Sequence, residues 1–83
     1  MIEKQLKSET EKWLKKAKEK RSKVVLLDKT KKDMIKNIDA YISDSQYFMK
    51  KGDFIRSFEA IIWSWAIIEL GLEFGILDLI STK

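Results

Sequence analysis

The chain contains no proline, and its 83 residues include only three glycines, at positions 52, 71 and 75. Proline and glycine interrupt regular backbone more than any other residues, so long helices with very few breaks are what this sequence can form. Apolar residues recur at the matching spacings of three and four. Ile2, Leu6, Trp13, Leu14 and Ala17 mark a narrow stripe on an otherwise charged first helix, at about residues 2–22. Met34, Ile38, Tyr41, Ile42, Ser45, Phe48 and Met49 mark a second, at about 29–51, and a more apolar third runs from about 54 to 74. The expected fold class is all-α: a three-helix up-and-down antiparallel bundle forming one domain over residues 1–83. Its short C-terminal apolar tail, ILDLISTK, folds back or lengthens the third helix by a turn. VVLLD, residues 24–28, reads as a turn or as a continuation of the first helix that tucks against the core.

Local signals supply the joints. Asp28 or Thr30 can cap the second helix, and Thr30 with Asp33 fits the capping-box pattern. Gly52 suits a left-handed residue just past that helix, and Asp53 is the N-cap of the next, so the second and third helices must be antiparallel neighbours. Along the first helix, Glu3 with Lys7, Glu11 with Lys15 and Glu19 with Lys23 are spaced as favourable i,i+4 pairs.

Cysteine and histidine are both absent. That excludes disulfides, thiolate metal sites and a cysteine nucleophile, and removes the commonest general base and metal ligand. A helical-pair nuclease would need an arginine and a histidine on one helix, and only Arg56 is present. No catalytic, cofactor-binding or metal-binding residue is assigned, and the expectation is a protein that is not an enzyme. The charged start, MIEKQLKSETEKWLKK, has no apolar stretch of a signal peptide, which points to the cytoplasm. The apolar run IIWSWAIIELG, residues 61–71, contains Glu69 and is bracketed by Arg56, Glu59 and Glu73, so it is too short and too charged for a membrane span.

That run nonetheless needs an explanation. Phe54, Phe58, Ile61, Trp65, Ile68 and Leu72 share one face of the third helix, and Trp63, Ile67, Leu70 and Phe74 share another. Between them lies a strip of Glu59, Ile62, Ala66, Glu69 and Glu73. Two partner helices cover only part of such a circumference, and which faces are internal is open. A homo-oligomer, with a dimer favoured, is expected to cover the rest through Trp63, Trp65, Ile67, Leu70 and Phe74, because large aromatics dominate interface energetics.

Two polar features compete for attention. Asp44, Glu69 and Glu73 form a candidate carboxylate cluster, for which the plainer reading is solvation or pairing with lysines of the first two helices. The first 36 residues carry thirteen Lys or Arg and six Asp or Glu, a net of +7 within a chain of +4. Lys15, Lys16, Lys18, Lys20 and Arg21 are the core of a candidate basic patch for nucleic acid, the alternative functional reading. Against it, the lysines encircle the helix, acids are interleaved, and Trp13 is the lone stacking platform.

YISDSQYFMKKGDFIRSFEAIIWSWAIIELGLEFGIL, residues 41–77, resembles the archaeal domain-of-unknown-function family 357. The matching features are SDSQYF at a helix end, the KGD turn, the FEAI start of the next helix, and the glycines of ELGLEFG. The resemblance covers about half the chain and implies a cytoplasmic archaeal three-helix bundle with no established activity. The sequence departs from the family pattern where histidine often stands at the position of Trp65 and aspartate at that of Glu69, so a site using that histidine cannot operate here.

Overall fold

A computed structural model describes residues 2–80; Met1 and the last three residues of the tail lie outside it. Three long helices dominate, α1 (Ile2–Arg21), α2 (Lys32–Lys50) and α3 (Phe54–Glu73), giving an all-α bundle. It also contains two three-residue strands, β1 (Val24–Leu26) and β2 (Leu77–Leu79), paired antiparallel with Val25 opposite Asp78. VVLLD is therefore neither a turn nor a helical extension. β-Branched Val24 and Val25 favour extended backbone, and the folded-back tail offers them a partner. Further bonds prolong the ladder, from the Leu27 amide to the Ile76 carbonyl (2.9 Å) and from the Ile80 amide to the Lys23 carbonyl (2.7 Å). This clasp joins the end of α1 to the end of α3. Its edges are blunted locally: the Lys29 ammonium reaches the Leu26 carbonyl at 3.2 Å, and the Leu79 amide donates to Asp78 Oδ1 at 2.8 Å.

Glycine is required at two of the joints. Gly52 and Gly75 have φ of 77° and 73°, left-handed values that L side chains disfavour. After α2, the Asp53 amide donates to the Phe48 carbonyl (2.9 Å) and the Gly52 amide to the Met49 carbonyl (3.1 Å). The Ile76 and Gly75 amides repeat this arrangement on Gly71 and Leu72 after α3, so both helices end in Schellman motifs. Asp53 then caps α3 by accepting from the Arg56 amide at 3.1 Å.

The capping box at Thr30 and Asp33 does not form. Asp28 instead accepts from both the Thr30 amide (3.0 Å) and the Thr30 hydroxyl (2.6 Å), which shapes a single 3₁₀ turn over Lys29–Lys31 before α2 begins. These two bonds hold the Asp28 carboxyl below its ordinary pKa, the side-chain bond having the larger effect. The three i,i+4 pairs read along α1 also fail to close. Among the described residues the ion pairs are Lys20 with Glu69, Arg21 with Asp39 and Arg56 with Asp53.

The core is built from Ala17 of α1, Val24 of β1, Ile38 and Ile42 of α2, Ile61 and Ile68 of α3, and Leu77 of β2. Between α2 and α3 the contact is made by small residues. Ser45, Ser57, Ala60 and Ser64 are buried, and Gly71 is buried further along the same line. The Ser45 hydroxyl donates to the Ser57 carbonyl at 2.8 Å while the Ser57 hydroxyl donates to the Ser45 carbonyl at 2.6 Å. Ser64 donates to the Ile38 carbonyl at 2.9 Å, so the buried hydroxyls are satisfied across the seam instead of being left unpaired. Ser57, Ser64 and Gly71 are spaced by seven, the repeat that keeps one face of a helix against a neighbour.

At Gly71 the side chains of Leu77 from the clasp and Met34 from α2 pack closely on the α3 backbone. A Cβ there would lie 2.6 Å from Leu77 Cγ and 3.0 Å from Met34 Sδ. Gly71→Ala is expected to lower the unfolding free energy by about 1–3 kcal/mol despite the better helix propensity of alanine, as measured by chemical denaturation.

Candidate functional site

Small side chains, Ser45, Ser57, Ala60 and Ser64, occupy the middle line of the α2–α3 contact, and the bulky residues of α3 flank that line on either side. On the α1 side, Trp65 meets Trp13 edge to face, with ring centroids 5.2 Å apart and planes at 73°. Such pairs contribute about 0.5–1.5 kcal/mol beyond the area they bury. The Lys20 ammonium lies 4.9 Å from the Trp65 ring centre and bonds Glu69 Oε1 at 2.7 Å. Glu69, the carboxylate within the apolar run, is thus a partner for α1. Trp65 and Ile67, expected at a partner surface, are half-buried and pack against the core.

The side of α3 facing away from α1 is different. Trp63 is 60% exposed, Leu70 48% and Phe74 69%. With half-buried Ile67 they make a continuous row, at offsets of four, seven and eleven residues from Trp63. Trp63 stacks on Tyr41 of α2 at 6.3 Å between centroids with planes inclined by 22°. Beyond that stack, towards the α2–α3 turn, Tyr41, Asp44, Phe48, Arg56, Glu59, Ala60 and Trp63 line an open cleft of about 290 Å³.

The structure does not assemble the expected carboxylate cluster. Asp44 lines the cleft, Glu69 pairs with α1, and Glu73 is exposed at the end of α3. Among the described residues no group of three carboxylates is placed to hold a metal ion. Helical spacing had brought Glu69 and Glu73 together, but the residue opposite each is chosen by tertiary packing.

The basic patch is likewise dispersed. Arg21 makes a two-pronged contact with Asp39 (2.6 and 3.1 Å), Lys20 is held by Glu69 and Trp65, and Lys16 lies 4.9 Å from the Trp13 ring centre. Lys15 and Lys18 are exposed beside Leu14 and Met49 in a groove between α1 and α2. Three of the five cations are thus committed to partners within the fold.

Sequence reasoning missed the serine seam and reached only part of the Tyr41–Trp63 cleft. The seven-residue spacing of Ser57, Ser64 and Gly71 was the available signal for the first. For the second, the resemblance suggests a polar cluster of Tyr41, Asp44, Tyr47 and Asp53 near the α2–α3 turn; the cleft includes Tyr41 and Asp44 from it, while Trp63, Phe48 and Glu59 join through the antiparallel hairpin.

A short-looped helical hairpin covered on one side by a third helix, with a two-stranded clasp, defines a small all-α bundle protein. The chain belongs to the protein family of unknown function DUF357, whose model matches residues 7–77. A crystal structure of protein AF1782 from the archaeon Archaeoglobus fulgidus, of the same family, is 43% identical and superposes with a TM-score of 0.88. That match covers 95% of this chain and 99% of the other. No curated protein matches the chain. Neither match carries a named activity. No described helix is long and apolar enough to cross a membrane.

The two tryptophans separated by Ser64 should respond differently to truncation. Trp65→Ala is expected to lower monomer stability by about 3 kcal/mol, and Trp63→Ala by less than about 1 kcal/mol, when unfolding is followed at low protein concentration.

Proposed function

We propose that this protein is a non-enzymatic, cytoplasmic helical interaction module that self-associates as a dimer through the outer side of α3. The observation supporting this reading is the row Trp63, Leu70 and Phe74, left 48–69% exposed on α3, while Ser57, Ile61, Ser64, Ile68 and Gly71 of the same helix are buried. Burying apolar surface is worth about 25 cal/mol per Å², and aromatic anchors usually carry most of an interface's energy. A chain of 83 residues also has little core of its own, so association supplies burial that the monomer lacks.

The row spans eleven residue steps, about 16 Å of helix, and suits two-fold pairing. Antiparallel α3 helices would set Trp63 of one copy over Phe74 of the other, with Ile67 and Leu70 in the middle. Glu59 and Glu73, each a turn from the row, and Asp44 beside Trp63 would then face like charges across the interface rim. Added salt should therefore strengthen association by screening them.

Light scattering on the wild-type chain is expected to give a dimer that tightens as salt is raised. Leu70→Glu, which puts a carboxylate at the centre of the row, should give a monomer with unchanged helical circular dichroism. A wild-type chain that stays monomeric at every concentration and salt would falsify the reading.

A further inference from the structure

The cleft beyond Trp63 has a chemistry that the apolar row does not share. Its walls are three aromatic rings, Tyr41 and Phe48 from α2 and Trp63 from α3, with Tyr41 and Trp63 nearly parallel. Its rim carries Asp44 and Glu59, neither of which has an ion-pair partner among the described residues. Among the described residues Arg56 is the one cation lining it, and Arg56 is already engaged. Its Nε is 3.5 Å from Asp53 Oδ2, and its guanidinium carbon is 5.8 Å from the centre of the Phe48 ring. The cleft therefore holds two uncompensated negative charges on a chain whose net charge is +4.

We propose that this cleft is a binding site for an organic ammonium ion. Aromatic faces are electron-rich and attract cations, best of all cations whose charge is spread over alkyl groups that also prefer an apolar wall. The Arg56–Phe48 contact is the chain's own instance of a cation on one of these rings. An anion is disfavoured because Asp44 and Glu59 repel it and Arg56, the facing cation, is partly offset by Asp53. A hard metal ion is disfavoured because it needs six or more oxygen ligands, whereas the side chains lining the cleft offer two rim carboxylates and a single phenol, that of Tyr41. At about 290 Å³ the cleft has room for an alkylated ammonium head group but encloses it on one side only, so the affinity expected is modest.

The site is distinct from the self-association row, although Trp63 borders both. The test is a titration with tetramethylammonium chloride followed at the Trp63 indole N–H signal by NMR, against sodium chloride at matched ionic strength and tert-butanol as a neutral analogue. Running it on the wild-type chain and on Leu70→Glu makes the result independent of whether the chain dimerises. The expected result is a saturable shift with tetramethylammonium alone. The double variant Asp44→Asn/Glu59→Gln, both exposed positions, should weaken binding roughly tenfold, in line with the small energy of exposed charge pairs. Arg56→Ala should tighten it by removing a like charge, where an anion site would respond in the opposite sense. A shift that does not saturate, that tert-butanol reproduces, or that the double variant leaves unaltered would overturn the proposal.

Discussion

The reciprocal hydroxyl-to-carbonyl bonds between Ser45 and Ser57, with Ser64 on the Ile38 carbonyl, allow α2 and α3 to approach with small side chains along the middle line of their contact. A buried serine is tolerable only when its hydroxyl has a partner, and here the partner is the backbone of the opposite helix. Net gains from such bonds are small, about 1 kcal/mol each, but an unpaired buried hydroxyl would cost more than that. The bonds therefore fix register as much as they add stability. Gly71 extends the line to the point where Leu77 of the clasp crosses it.

With small side chains on that line, the large residues of α3 flank it on either side. Those facing α1, led by Trp65, meet Trp13 and the ammonium of Lys20 and are partly covered. Those on the opposite side, Trp63, Leu70 and Phe74, find no third layer. The apolar run that looked excessive for a small chain is thus divided by geometry into an internal half and an external half. The clasp of β1 and β2 completes the arrangement by anchoring the ends of α1 and α3 together, which keeps α1 on one side of the hairpin and leaves the other open.

Features decided by short-range chemistry were legible in the sequence. A left-handed glycine followed at once by a capping aspartate specifies a stop and a start through bonds within a few residues, and Gly52 and Asp53 make them. The all-α character followed from the scarcity of breakers in the same way. What was not legible depends on partners far along the chain. Val24–Leu26 is three residues long and is extended because Leu77–Leu79 returns to it. Ser57 and Ser64 look like solvent-facing positions until the helix opposite supplies carbonyls for them. Lys16, Lys20 and Arg21 look like a basic surface until Trp13, Glu69 and Asp39 claim them. Trp65 and Trp63 flank one residue and could not be told apart by type, yet one is half-buried against the core and the other is exposed. Similarity to the archaeal structure confirms the architecture over nearly the whole chain and leaves the use of its open side to experiment.

The most direct test of that use is the accessibility of the outer side of α3 to a soluble paramagnetic probe, read by NMR at Trp63, Leu70 and Phe74 over a range of protein concentrations. The account predicts strong attenuation in dilute solution that fades at all three residues together as the protein is concentrated, while exposed residues of α1 such as Lys12 stay attenuated throughout. Equal attenuation of the three residues at every concentration would contradict it.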